Sequence, residues 1–170
     1  ICFLNAGDYH LPGAIARAVA LLRRTAAPLA YGDVAVHAET GEFRYRQRVG
    51  RRFSADRVFF AGIPHLAMFY RRDDFLRSGM FDTGYRVCAD LDHALRMIGS
   101  GAKALRLGFT IGAYHLGGYS QSSGRYEEEM GIIRERYGIK GPQAERIYQA
   151  IRQRIRRLLG KSRNKKENGE

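Results

Sequence analysis

Long apolar runs, cysteines and acidic residues are all scarce in this sequence of 170 residues. No apolar run approaches the ~20 residues that a membrane-spanning helix needs, so we expect no integral membrane protein. Its two cysteines, Cys2 and Cys88, are too few for a disulfide framework, and neither has a second Cys or a His at metal-site spacing. This cysteine usage predicts a reducing, cytoplasmic compartment.

The length of the chain suits one domain with a sizeable core. Hydrophobic residues make up 45% and charged residues 27%, a balance that favours a globular protein over a disordered chain. We expect no signal peptide, the first residue is Ile1 rather than Met, and residues 1–4 have the pattern of a buried strand entered midway. We therefore expect the chain to be the later part of a longer protein.

Basic residues outnumber acidic ones by 29 to 17, which predicts a polyanionic partner. More than half of the net charge of +12 lies in residues 140–170, where ten Lys or Arg and three Glu give +7. The pattern of this segment predicts a basic amphipathic helix followed by a polar tail, after a domain of residues 1–139. Its apolar stripe consists of Ile147, Ile151, Ile155, Leu158 and Leu159.

Two functions remain open for this segment. The stripe could dip into an anionic membrane surface, or it could pack on its own domain. Nucleic acid is not expected as a partner, because Tyr148 is the only aromatic residue near the basic run.

Strand and helix patterns alternate along residues 1–139, which predicts an α/β fold. The first helix is expected to bury Ile15, Val19, Leu22 and the interleaved alanines, and residues 58–60 are expected in the core. The predicted strands are residues 30–37, 43–47, 66–70 and 104–114, and the predicted helices begin at Pro12, Arg72, Ala89 and Tyr126.

Carboxylates occur at two places that could carry chemistry. Asp8 is the last residue of a turn signal that follows an apolar segment. At this position it could hold Mg²⁺ or Mn²⁺. The simpler alternative is that Asp8 only forms the turn or caps a helix. Asp90 and Asp92 open a helix on different faces. One could act as a general base, and the simpler alternative is an N-cap with a first-turn aspartate.

Histidines and glycines give two further candidates. His115 precedes Gly117 and Gly118, whose backbone could approach an anion, although such a loop is also an ordinary turn. His65 leads into a predicted strand, where it could contact a substrate or simply be partly buried.

Taken in order, these segments resemble family-two glycosyltransferases of the GT-A type over residues 1–139. No single motif is specific, but their order and spacing together are. The matching segments are Phe3-Leu4-Asn5-Ala6-Gly7-Asp8 with Pro12, Tyr31-Gly32-Asp33-Val34, Pro64-His65 through Phe75-Leu76 to Gly79-Met80-Phe81-Asp82, Ala89-Asp90-Leu91-Asp92 to Leu95-Arg96, and His115-Leu116-Gly117-Gly118-Tyr119-Ser120.

The resemblance implies a GT-A fold, a mixed sheet flanked by helices, here without its amino-terminal βαβ part. It implies transfer of a sugar, with inversion, from a nucleotide-diphosphate donor to a glycan or lipid-linked acceptor in polysaccharide or glycolipid synthesis. Asp90 would be the catalytic base, and Asp8 and His115 would hold Mg²⁺ or Mn²⁺. The substrate-binding residues it implies are Asn5, Gly7, His65, Asp92, Arg96, Gly117, Gly118 and Ser120.

Two departures from the family pattern shape these expectations. Asn5 and Gly7 stand where the family has its Asp-x-Asp pair, which leaves Asp8 as the carboxylate for a metal. The half that grips the nucleoside is missing, so we expect no turnover from the isolated chain. The alternative is a non-catalytic basic module that binds an anionic membrane surface, or nucleic acid, through residues 140–170.

Overall fold

The computed structural model describes residues 1–117 and 124–139 of the chain. Contacts group residues 1–139 into one compact unit and residues 140–170 into another. The predicted amphipathic helix, Gly118 and Ser120 therefore lie outside the described residues.

The unit of residues 1–139 is an α/β structure, as the alternating patterns predicted. Within the described residues, no helix has the length and apolar character needed to cross a membrane. The strands are β1 (Tyr9–His10), β2 (Leu29–His37), β3 (Phe43–Gln47), β4 (Met68–Tyr70) and β5 (Leu105–His115). The helices are α1 (Ala14–Arg23), α2 (Ala55–Ala61), α3 (Arg72–Arg77), α4 (Ala89–Gly99) and α5 (Arg125–Arg136), with a 3₁₀ turn over His65–Ala67.

The five strands form one open mixed sheet in the order β1-β5-β2-β3, with β4 also paired to β2. The pair β2 and β5 is parallel, whereas all other pairs are antiparallel. The predicted hairpin of β2 and β3 is confirmed. Because β2 and β5 run the same way, their carboxyl ends meet at one edge, where His37 lies opposite His115. Open α/β sheets bind ligands at this kind of edge.

Helix α1 covers one face of the sheet, and the predicted burial is confirmed for Leu22 and Ala18 but wrong for Ile15 and Val19. Ala14, Ala18 and Leu22 are buried, whereas Ile15 and Val19 are 47% and 37% exposed. The small alanine side chains let the helix approach the sheet closely, which turns the larger residues outward. The helix begins at Ala14 rather than Pro12, because Gly13 has a left-handed backbone with φ of 74°.

A second core cluster joins β2 and β4 to helices α2, α3 and α4. The predicted burial of residues 58–60 is confirmed, and they lie in α2. Both cysteines are free thiols, as expected. The main members of this cluster are Leu29, Tyr31, Val58, Met68, Tyr70, Phe75, Ala94 and Met97.

The prediction of a buried strand over residues 1–4 is wrong. Ile1 and Leu4 are 44% and 48% exposed. Among the described contacts of residues 1–4, ladder-like hydrogen bonds are formed by Ile1. Its amino group donates to the Tyr70 carbonyl at 2.7 Å, and its carbonyl accepts from the Tyr70 backbone N–H at 2.8 Å. Phe3 instead packs its ring 4.6 Å from that of Phe81. The predicted strand over residues 66–70 begins only at Met68, because a 3₁₀ turn occupies the preceding residues.

A buried carboxylate joins three strands of the sheet. Asp33 of β2 is 2% exposed and accepts hydrogen bonds from Arg46 Nη2 at 2.7 Å, from Arg106 Nη2 at 3.0 Å and from the Val49 backbone N–H at 3.0 Å. These bonds connect β3 and β5 to β2, so this aspartate contributes to the sheet rather than to the cavity described next.

Candidate functional site

A cavity of about 1040 Å³ lies where four segments of the unit meet. The segments are the turn at residues 5–8, residues 62–66, the start of α4 and the end of β5 with the residues that follow it. Of the predicted site residues that the structure describes, this cavity brings together Asn5, Gly7, Asp8, His65, Asp90, His115 and Gly117.

Asp90 lies in the first turn of α4, which begins after Cys88. Its Oδ1 accepts a hydrogen bond from the Leu91 backbone N–H at 2.8 Å, and its Oδ2 lies 3.6 Å from His65 Nδ1. The side chain is 31% exposed. One carboxylate oxygen is thus anchored to the helix, while the other faces a histidine on the wall of the cavity.

Burial raises the pKa of Asp90 above its ordinary value, and the electrostatic effect of His65 acts in the opposite direction. A carboxylate with a raised pKa is a stronger base than an ordinary aspartate. His65 Nε2 is buried and has no hydrogen-bond partner among the described residues. An unsatisfied buried N–H costs more than an unsatisfied acceptor, so this favours a proton on Nδ1, directed at Asp90.

Asp8 ends a turn in which its backbone N–H donates to the Asn5 carbonyl at 3.1 Å, and Gly7 adopts a positive φ of 88°. The predicted turn is confirmed. Burial raises the pKa of Asp8, and His65 and His115 act to lower it. The Gly7 carbonyl accepts a hydrogen bond of 3.2 Å from His115 Nδ1, which joins the turn to the end of β5.

Gly117 has a left-handed backbone that strains any other residue, and it lies against the exposed side chain of Glu39. Its φ is 93°, and a Cβ atom would lie 1.9 Å from Glu39 Oε1. Glu39 comes from the turn between β2 and β3 and lines the cavity. Sequence reasoning missed this glutamate, since a glutamate in a hairpin turn carries no signal that it faces a glycine some eighty residues later.

Asp92 and Arg96 do not line the cavity. Asp92 is fully buried and accepts hydrogen bonds from Arg96 Nε at 2.9 Å, from the Tyr137 hydroxyl at 2.8 Å and from Arg136 Nη1 at 3.3 Å. Arg96 also donates to the carbonyls of Ser78 and Met80. The two aspartates of α4 therefore point in different directions, as their spacing predicted, and this ion-pair network joins α4 to α5 and to the end of α3.

Glu129 of α5 fixes the segment that leads into α4, and sequence reasoning missed it. Its carboxylate is buried and accepts backbone hydrogen bonds from Arg86 at 2.8 Å, Val87 at 2.9 Å and Cys88 at 2.8 Å. Burial acts to raise the pKa of Glu129, but these three N–H donors and Arg125 hold it below its usual value. The anchored segment ends two residues before Asp90.

The charge of the cavity wall is opposite to that of the whole chain. Asp8, Glu39 and Asp90 line it, and among the lining residues that the structure describes Arg86 is the one lysine or arginine. Within residues 1–117 and 124–139, no three His, Cys, Asp or Glu side chains come together as a metal site. The donor set still fits Mg²⁺, which proteins commonly hold through one or two carboxylates together with substrate phosphates and water.

No protein-family model matches this sequence, and no curated protein is significantly similar to it. Any function therefore has to be argued from the cavity and its residues.

Proposed function

We propose that the chain is the catalytic part of an inverting glycosyltransferase of the GT-A type, which moves a sugar from a nucleotide-diphosphate donor to an acceptor hydroxyl. The products would be cell-surface polysaccharides or glycolipids. The observation that carries this proposal is that Asp90, with its raised pKa and its histidine neighbour, shares one cavity with Asp8 at the carboxyl ends of β2 and β5.

In this proposal Asp90 takes the proton of the acceptor hydroxyl as that oxygen attacks the sugar. The anchored Oδ1 fixes the orientation of the carboxylate and leaves Oδ2 for the proton. His65 lies beside Oδ2 at 3.6 Å and keeps the carboxylate directed into the cavity. Direct attack on one face of the sugar, with no intermediate bound to the protein, inverts the configuration at that carbon.

Asp8 is the carboxylate that would hold Mg²⁺ or Mn²⁺, with His115 beside it. The bound cation would neutralise the charge that develops on the departing diphosphate. A diphosphate facing Asp8, Glu39 and Asp90 would otherwise be repelled, because on the described part of the cavity wall three carboxylates face a single arginine, Arg86. Gly117 also lines this cavity, and it carries no side chain that would keep a bound group away from its backbone.

The stereochemistry of the product tests this proposal. The protein, expressed from its complete reading frame, would be incubated with a panel of nucleotide-diphosphate sugars, lipid-linked acceptors and Mn²⁺. We expect release of nucleoside diphosphate that depends on both the acceptor and the cation, and an NMR spectrum that shows the anomeric configuration opposite to that of the donor. Retained configuration, or no release with any donor, would contradict the proposal.

A further inference from the structure

We propose that His37 and His115 form a second metal site, a two-histidine chelate for a borderline divalent cation such as Zn²⁺. The two residues are the last of β2 and β5, and they lie directly opposite each other in the parallel register. Neighbouring residues in such a pair project from the same face of the sheet. The site lies at the edge of the cavity, which His115 also lines.

The separation of the two rings suits a shared metal ion. Their centroids are 5.5 Å apart. With zinc–nitrogen bonds of about 2.0–2.1 Å, two imidazoles on one tetrahedral zinc have centroids about 5 Å apart. The observed separation of the rings is therefore close to that of two histidines bound to one zinc ion.

Hydrogen bonds fix the tautomer of both histidines in the form that a metal needs. His37 Nδ1 lies 2.8 Å from the Gly41 carbonyl, and His115 Nδ1 lies 3.2 Å from the Gly7 carbonyl. A carbonyl can only accept, so Nδ1 carries the proton in each ring and Nε2 of the neutral ring holds a lone pair. Metal-binding histidines characteristically donate their other ring N–H to such an acceptor.

The other three of the five histidines are committed elsewhere. His10 Nε2 already bonds the Leu66 carbonyl at 2.8 Å, His65 Nε2 is buried, and His93 is fully buried. No hydrogen-bond partner is found for Nε2 of His37 or His115 among the described residues. These two rings are therefore the histidine pair that can reach a cation from solvent.

The chemistry of this pair differs from that proposed for Asp8. Imidazole nitrogen favours Zn²⁺, Cu²⁺ or Ni²⁺, whereas a carboxylate with phosphate oxygens favours Mg²⁺. Since only two protein ligands meet here, water or an exogenous ligand completes the coordination shell. The inference does not depend on the proposed transferase activity, because zinc can bind this pair without any nucleotide sugar.

Zinc binding to the full chain, measured by isothermal titration calorimetry without nucleotide, tests this site. The key variants are His37→Ala and His115→Ala, with His10→Gln as the control and Asp8→Asn as the variant that reveals a competing ion at Asp8. We expect one zinc per chain and a loss of affinity in each key variant at least as large as the roughly 10- to 100-fold that removal of an outer-shell partner costs. The His10→Gln control should bind zinc as the unchanged protein does.

Electron paramagnetic resonance of the Cu²⁺ complex gives a second readout of the same site. Nitrogen couplings from two imidazoles are expected in the unchanged protein and from one imidazole in His37→Ala, with far-UV circular dichroism showing that the variant is folded. Absence of zinc binding would overturn the proposal. The proposal would also be overturned if Asp8→Asn and His115→Ala lost affinity for zinc while His37→Ala did not, because the ion would then be bound at Asp8.

Discussion

At the scale of single residues, His65 and His93 differ in their burial and therefore in their roles. His93 of α4 is completely buried, with 0% of its surface exposed. Its Nε2 lies 2.7 Å from Ser78 Oγ, and its ring centroid lies 4.6 Å from that of Phe75. Burial and, to a smaller extent, the charge of the nearby Arg96 lower the pKa of His93 to about 4, against raising contributions from the Phe75 backbone and Asp92. His93 is thus a neutral core residue, whereas His65 faces the cavity.

This burial predicts an acid-dependent loss of stability. His93 binds a proton near pH 6.5 in the unfolded chain but only near pH 4 in the folded chain. The contribution of neutral His93 to the free energy of unfolding is therefore complete above pH 6.5 and is lost as the pH falls through 4. Its size is on the order of 3 kcal/mol. Urea unfolding of the unchanged protein and of His93→Leu between pH 7 and 4 measures it. We expect a shallower pH dependence in the variant, and equal slopes would contradict the assignment.

At the scale of secondary-structure elements, α5 holds the start of α4 in place. Glu129 accepts three backbone N–H groups from residues 86–88, and a carboxylate hydrogen bond of this kind stabilises by about 1.5–3 kcal/mol. The segment has no strand or helix of its own to satisfy these donors. The position of Asp90 on the cavity wall therefore depends on a residue about forty positions later in the chain.

Replacing this carboxylate tests the dependence. Glu129→Gln should lower the free energy of unfolding by about 2 kcal/mol at neutral pH, because an amide accepts fewer and weaker hydrogen bonds. In the unchanged protein this stability is complete above pH 4.5 and is lost at lower pH, since the pKa in the folded state is lowered. The exposed neighbour Glu128→Gln is the matched control. Urea midpoints that are the same for both variants would rule out the anchoring role.

Local patterns predicted the elements of this fold, but distant contacts decided its details. The hairpin of β2 and β3 and helix α4 follow from alternation, turn residues and helical spacing that are all close in sequence. The exposure of Ile15 and Val19 could not be predicted, because most of α1 is apolar and only contact with the sheet decides which side of the helix is buried. The tertiary structure alone brings partners to three carboxylates, those of Glu39, Glu129 and Asp33. The residues next to them in sequence therefore do not predict these contacts.

At the scale of the whole molecule, charge is distributed unevenly. The chain has a net charge of +12, of which residues 140–170 carry +7, yet the cavity wall holds three carboxylates and one arginine. A cation at Asp8 would reconcile this wall with a diphosphate donor. The proposed attraction of the basic segment to anionic lipid would suit an enzyme that acts on lipid-linked acceptors.

Vesicle binding tests the role of the basic segment. Replacing Arg152, Arg154, Arg156 and Arg157 by Gln in the full chain should release the protein from vesicles that contain phosphatidylserine, since each basic residue near such a surface contributes about 1 kcal/mol. Sedimentation with these vesicles measures the effect, and neutral phosphatidylcholine vesicles are the control. Sedimentation that the substitutions leave unchanged would count against membrane attachment.

The base role of Asp90 is most directly tested by transfer kinetics of Asp90→Asn. The matched control is Asp56→Asn, since Asp56 is also a first-turn aspartate but is exposed on α2. With the protein from its complete reading frame, we predict that Asp90→Asn lowers kcat by roughly 10²- to 10⁴-fold with little change in donor affinity, while Asp56→Asn transfers sugar normally. An Asp90→Asn enzyme that retains its kcat would contradict the account.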